Sequence, residues 1–207
     1  MKPLWVIGAG GHAKVVIDTA RAGGEFEVVG ILDDNPDLAN DRVLGIPVRG
    51  KASREMIARC RAEHAVIAVG SNRARESISG RLDGLVRWVT LAHPTAVRSP
   101  SAIVGAGTVL VAGAIVQPDC HVGCHAILNT ASSVDHDGVV GDFAHVGPGV
   151  RLAGAVRVGD GAMLGIGCCV LPGCVVGAWA TVGAGAVVLR NVPEGVTVGG
   201  VPARQLF

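Results

Sequence analysis

Taking every sixth residue from Val104 gives fifteen consecutive positions occupied by Val or Leu, ending at Val188. Four residues after each aliphatic position comes a mostly small one, including Thr108, Ala114, Cys120, Ala126, Ser132, Ala144, Ala162, Cys168, Cys174, Ala180 and Ala186. A period of six matches neither the 3.6 of a helix nor the simple alternation of a two-faced strand. It suits a solenoid of short strands joined by tight turns, with aliphatic side chains on the axis, small residues beside them and glycines at the corners. The second half of the chain, 93–207, is therefore read as an all-β solenoid.

The same stretch could be mistaken for a membrane span, since residues 161–189 contain no charge. Seven glycines and Pro172 interrupt it, and its short period is one that a lipid-facing helix has no reason to keep. The N-terminal run MKPLWVIGAGGHAK is too short for a signal peptide, and no small-residue cleavage site follows it. Lys and Arg number 18 against 17 Asp and Glu, so no basic field exists to draw nucleic acid or an anionic membrane. The six cysteines form no C-x-x-C pair, and Cys120, Cys168 and Cys174 fall on the inward small-residue register. Reduced thiols, a cytoplasmic location and no metal are expected.

Residues 1–92 lack the repeat. LWVIGAGGHAKVVIDTARAGG reads as a buried strand, a glycine turn and a helix ending near Gly23 and Gly24; EVVGILDD, HAVIAVGSN and LVRWVTL read as further strands. Alternating strands and helices imply a small parallel α/β sheet. Gly8, Gly10 and Ala13 satisfy G-x-G-x-x-A directly after a strand, and Asp33 and Asp34 end the next. That pattern serves either as a structural tight turn or as a phosphate cradle at a helix N-terminus with an acidic ribose or base contact. The segment is too short for two mononucleotide halves, which leaves room for one nucleotide.

The order of parts carries more information than either half. GAGGHAKVV with LDD after it, then VGSNRAR, then HPTAVRSPSAIVGAGTVLVAGAIV, then NTASSVDHDGVVGDFAHVGPGV and a terminal VGGVPAR, resembles the hexapeptide-repeat sugar acyltransferases of the bacillosamine-pathway UDP-4-amino-sugar N-acetyltransferase and sialic acid O-acetyltransferase type. The resemblance spans nearly the whole chain. It implies a Rossmann-like nucleotide-sugar domain, 1–92, followed by a left-handed parallel β-helix, 93–207, in which three hexapeptides make one coil of 18 residues. It also implies acetyl transfer from acetyl-CoA to an amino group of a nucleotide-linked 4-amino sugar in glycan or cell-surface polysaccharide biosynthesis, by a homotrimer with active sites between subunits.

Within VDHDGVV, His136 stands between Asp135 and Asp137 in a stretch otherwise poor in charge. A sugar amine or hydroxyl attacking a thioester must lose a proton, and a histidine with a pKa near about 6.5 accepts it at neutral pH. A carboxylate beside it fixes the tautomer and stabilises the imidazolium. The resemblance makes His136 the general base and Asp137 its support, although the bacillosamine enzymes are expected to carry Glu there, and Asp135 competes for the role. Gly154 lies 18 residues further on and so at the same corner one coil along, about 5 Å away. A backbone N–H at that glycine suits a developing oxyanion.

The resemblance further implies that His145 contacts acetyl-CoA, that Ile166 lines the CoA groove and that Asn129 lies near the sugar. His145 as a packing residue and Asn129 as a rung in an asparagine ladder are the structural alternatives. Gly10, Gly11, His12, Asp33, Asp34 and Gly70 are implied for the nucleotide-sugar, and Arg190 and Arg204 are placed to meet CoA phosphates. Three other functions stay open on the residues alone: O-acetylation of sialic acid or a related sugar, a metal-dependent hydratase using His121, His125, His136 and His145, and a non-catalytic scaffold.

Overall fold

The computed structural model describes residues 1–206 of the chain, which divides into two compact units, Met1–Pro94 and the remainder from Thr95. The first unit runs β1 (Lys2–Ile7), α1 (Gly11–Gly23), β2 (Phe26–Leu32), β3 (Arg42–Val43), β4 (Ile46–Pro47), α2 (Arg54–Cys60), β5 (His64–Ile67), α3 (Asn72–Leu82) and β6 (Arg87–Trp88). Its sheet is parallel with order β2-β1-β5-β6. The inner strands read as near-continuous apolar runs because both faces are covered. The apolar stripe Ala13, Val16, Ile17 and Ala20 of α1 is buried against the sheet, while Trp5, Ile7, Leu32, Ile57, Ile67 and Leu82 form a cluster that takes in α2 and α3.

Local chemistry sets the helix ends. Gly24 closes α1 in the left-handed conformation at φ 71°, and its N–H donates to the Ala20 carbonyl. Ser53 and Ser71 cap α2 and α3, each hydroxyl accepting from the amide three residues on. The strand expected over 85–91 starts late, because the Leu85 N–H turns back to the Leu82 carbonyl, and it is broken into Arg87–Trp88 and Leu91–Ala92. Residues 42–47, for which the sequence offered no assignment, form a hairpin whose two turn residues, Leu44 and Gly45, both have positive φ.

The second unit is a solenoid of two-residue parallel strands. As far as Val188 the ladders join residues 18 apart, as in Ser133 to Arg151 and Val134 to Leu152, and the last coil is shorter, pairing Thr181 with Thr197. Three such ladders make its faces, running through Ile127–Leu128 and His145–Val146, through Ser133–Val134 and Arg151–Leu152, and through Val139–Val140 and Arg157–Val158. The aliphatic positions from Leu110 to Val188 are buried along the axis, and Cys120, Cys168 and Cys174 lie among them. The Thr108 hydroxyl is satisfied inside this core, donating to the Gly123 carbonyl and accepting from the Ala126 N–H.

Every sixth residue from 107 to 185 has positive φ, and only half of these fourteen corners are glycine. Asp119, His125, Ala131, Asp137, Phe143, Ala155 and Trp179 hold the rest at φ between 53° and 60°, at a cost of about 1–2 kcal/mol each. Along one edge the corner side chains pack on one another: His125 stacks on Phe143 with ring centroids 5.3 Å apart, and Trp179 lies over Gly161.

Two substitutions separate backbone strain from side-chain packing. Gly185 has φ 65° with no atom within 4 Å of an added Cβ, so Gly185→Ala is expected to cost about 1 kcal/mol. At Gly161 the φ is 63° and an added methyl meets the Trp179 ring, so Gly161→Ala is expected to cost about 1–3 kcal/mol more. Urea unfolding of the two variants measures the difference, which should vanish in a Trp179→Ala background.

Candidate active site

The turn after strand Ser133–Val134 brings the DHD motif to an edge of the solenoid. The Asp135 carboxylate accepts from the His136 N–H at 2.8 Å, and the Asp137 carboxylate lies 2.8 Å from His136 Nδ1. The two aspartates therefore divide the work: Asp135 holds the backbone of the turn and Asp137 holds the ring. Asp137 reaches back to the residue before it because its own backbone is left-handed, at φ 58°, a conformation Asp tolerates better than most residues. The hydrogen bond from Asp137 raises the His136 pKa above its ordinary value, opposed by desolvation and helped by the charges of Asp135 and Asp137. Both side chains are more than half exposed.

The coil stacks Gly154 under this ring. The Ala155 N–H donates to the His136 carbonyl at 2.8 Å, and a Cβ added at 154 would stand 2.6 Å from His136 Cε1 and Nε2. Gly154 accepts at its carbonyl from Gly173, while its own N–H donates to no backbone carbonyl among the described residues. Below the turn, the buried Cys120 thiol donates to the Asp135 carbonyl at 3.0 Å, and the Asp137 N–H donates to the Pro118 carbonyl. Cys120 sits on the core register, so its part in holding this turn is invisible in the repeat.

Asn129 and His145 meet on another face. Asn129 Oδ1 accepts from the Thr130 N–H, which orients its Nδ2 toward His145 Nε2 at 3.1 Å. His145 Nε2 is then the acceptor, and a neutral ring carries its proton on Nδ1. Ile166 is 61% exposed in the turn after Met163–Leu164. Arg190 and Arg204 line one cleft of about 400 Å³ near the C-terminus. His121, His125, His136 and His145 do not converge within the chain, and His125 is buried against Phe143; among the described residues no three His, Cys, Asp or Glu side chains are grouped as metal ligands.

In the first unit, Gly8, Asp33 and Asp34 line a cavity of about 240 Å³ with Ala52, Val69 and Ala74. Gly8 has φ 112° and lies against Ala68 and Val69, whereas Gly10, Gly11 and Gly70 face open space on the side where a Cβ would stand. The carboxylates of this cavity already have partners. Asp33 accepts from the Ala9 and Asn35 N–H groups at 2.6 and 2.8 Å; Asp34 accepts from the Ala52 N–H and pairs with Arg81 at 2.7 Å. They pin the glycine turn and the neighbouring loops from below. Burial, aided by the charge of Arg75, lowers the His12 pKa to about 4, so this imidazole is neutral at physiological pH. The fully buried Arg75 donates to the carbonyls of Val69 and Gly70 at 3.0 Å and to Asn72 at 2.9 Å, fixing the loop that carries Gly70. Its signal in the sequence was the VGSNRAR string, which served only as part of the resemblance and gave Arg75 no role of its own.

No described helix is long and apolar enough to cross a membrane. Residues 3–82 match the PglD N-terminal domain, and residues 155–190 match the bacterial transferase hexapeptide with six repeats. UDP-N-acetylbacillosamine N-acetyltransferase of Bacillus subtilis (strain 168) is 39% identical over 116 residues, 54% of this chain and 52% of that protein, so the match takes in about half of the relative's length. The Caulobacter crescentus perosamine N-acetyltransferase PerB, solved with CoA and GDP-perosamine, is 41% identical with a TM-score of 0.93 over 100% of this chain and 98% of that one. The acetyltransferase domain of PglB from Neisseria gonorrhoeae, solved with acetyl coenzyme A, is 39% identical with a TM-score of 0.90 over 99% of each chain. The order of parts, the register of the coils and these likenesses together establish that the chain belongs to the hexapeptide-repeat sugar acyltransferases with a PglD-type N-terminal domain.

Proposed function

We propose that the protein transfers an acetyl group from acetyl-CoA to the amino group of a nucleotide-linked 4-amino sugar, with His136 as general base. The observation that carries this reading is the 2.8 Å bond from His136 Nδ1 to Asp137, which leaves Nε2 beside Gly154 at an open edge. The amine nitrogen attacks the thioester carbonyl carbon, its proton passes to Nε2, and the imidazolium is held by Asp137. The carbon–sulfur bond then breaks, and the thiolate of CoA takes a proton. The free N–H of Gly154 is the donor assigned to the oxyanion.

Complexes of the relatives support the substrate classes. PerB holds CoA and GDP-perosamine, and forms of that enzyme with one histidine replaced by asparagine or alanine hold the same pair. An amine is a better nucleophile than a sugar hydroxyl, which favours N- over O-acetylation. The nucleotide is assigned to the cavity beside Gly8, its diphosphate to the amides at Gly10 and Gly11, and acetyl-CoA to the side of Asn129, His145 and Ile166.

His136 and the Asn129–His145 pair occupy different faces of one solenoid, so a site using both needs neighbouring chains. A homotrimer meets that need, and the exposed apolar side chains Val97, Ile103, Leu171 and Val175 suit its interfaces. A cytoplasmic location is assigned on the six free thiols.

Thiol release from acetyl-CoA with a panel of UDP-, GDP- and dTDP-linked 4-amino sugars tests the reading. One acceptor should turn over, and His136→Ala, at an exposed position, should lower kcat by about 10²–10⁴ with unchanged thermal stability; equal turnover by the two proteins would refute the role. Because Asp137 raises the His136 pKa, the acidic limb of the kcat/KM profile should move to lower pH in Asp137→Asn, with a smaller plateau. Gly154→Ala has an ordinary φ to fill, so it should fold normally yet displace the His136 ring and lower kcat by about tenfold or more.

A further inference from the structure

The α/β unit contains a second cavity, larger than the one beside Gly8 and sharing no lining residue with it. Its volume is about 510 Å³, within the range of small-molecule sites. It lies between the β3–β4 hairpin and α2, where Trp5 and Met56 give it an apolar wall and Arg42, Arg49 and Arg59 surround it. No aspartate or glutamate lines it.

The three guanidiniums are held from different elements. Arg49 follows β4, and its N–H donates to the Ile31 carbonyl at 2.8 Å, which ties its backbone to β2. Arg59 stands in the last turn of α2, and Arg42 in β3. Arg42 donates to the Gly45 carbonyl at 2.7 Å. The Arg49 and Arg59 side chains have no ion pair or hydrogen bond among the described residues. Both act on the half-buried Cys60 thiol between them, lowering its pKa against the rise that burial causes. A cation at the end of a helix is favourable in itself, which accounts for Arg59. It does not account for Arg49 and Arg42, exposed like Arg59, lining the same cavity with no carboxylate among them, where like charges repel unless an anion joins them.

The aromatic wall is built with equal care. Trp5 pairs with Gly30 in the neighbouring strand, and its indole occupies the space that a Cβ at 30 would need. The six-membered ring of the indole thus lies against the Gly30 backbone, and Trp5 also lines the cavity. Two guanidiniums free to bond, a third at the rim and no carboxylate match the charge and multiple acceptors of a phosphate group better than a single carboxylate.

We infer that this cavity is a binding site for a small phosphorylated molecule, its phosphate held by Arg49 and Arg59 with Arg42 at the rim and its organic part against Trp5 and Met56. The site is separate from the one assigned to the nucleotide-sugar, and the inference does not rest on the acetyl-transfer reading. Its occupant is a small solute, because the arginines face a concavity and the whole chain has a net charge of only +1.

Isothermal titration of the full chain with inorganic pyrophosphate tests it, using the double variant Arg49→Gln/Arg59→Gln and, as a control for binding at the glycine turn, Gly11→Asp. Position 11 is exposed with open space at its Cβ, so an aspartate there repels a diphosphate without disturbing the fold. Gly11→Asp, which blocks the glycine turn, should still bind pyrophosphate, and adding Arg49→Gln/Arg59→Gln to it should weaken that binding about tenfold or more for each guanidinium removed. Absence of binding to the wild type at millimolar pyrophosphate would overturn the inference. So would binding that survives the arginine double variant in the Gly11→Asp background, or binding that Gly11→Asp alone abolishes.

Discussion

A chain that must close a coil in 18 residues has to turn three times in each circuit, and each turn here is made by one residue in the left-handed conformation. That conformation is the constraint on which the second unit depends. It leaves only two residues per strand, so register cannot be held by strand length and is held instead by the aliphatic residue that each repeat sends to the axis. Backbone polar groups at the turns are answered one coil along, as when Asp142 accepts from Cys124 and Asp160 from Asp142. The solenoid is thus a stack in which each coil is both product and template.

The proposed chemistry uses this regularity. At most left-handed corners the side chain only has to be tolerated, whereas at 137 the backbone conformation turns a carboxylate back onto the preceding imidazole. Stacking then supplies glycine at 154, without which the ring would lack room. A charged, exposed pair is stable here because solvent reaches it, and its upward tuning comes from one hydrogen bond and two neighbouring charges working against desolvation.

Much of this was legible before any coordinates. The six-residue period specifies the solenoid because it has no competitor among regular structures, and the strand–turn–helix opening of the first unit follows from Gly8 and the apolar run before it. Other features were hidden for physical reasons. His125, Phe143 and Trp179 occupy corners that favour glycine, since a cost of about 1–2 kcal/mol is readily offset by stacking. Leu44 hides the hairpin turn in the same way. Asp33 and Asp34 read as ligand contacts, because a motif tells where a carboxylate lies and not which amides it already serves. Arg75 was missed because a buried arginine and a surface one are written with the same letter, and only the packing of α3 distinguishes them.

The edge that carries His136 also carries Asp119, Ala155 and Gly173, all left-handed and all separated by one coil. Their scaffolding task is identical, so the backbone offers the same address several times and the reactive pair fills one of them. Change at that edge is consequently modular: side chains can be moved between coils without redrawing the fold, while the addition or loss of a single residue puts every later side chain out of step. A lineage built on this plan has wide freedom in where it places chemistry along the solenoid and little in the length of its inner coils, the shorter coil falling at the end of the stack, where Thr181 pairs with Thr197.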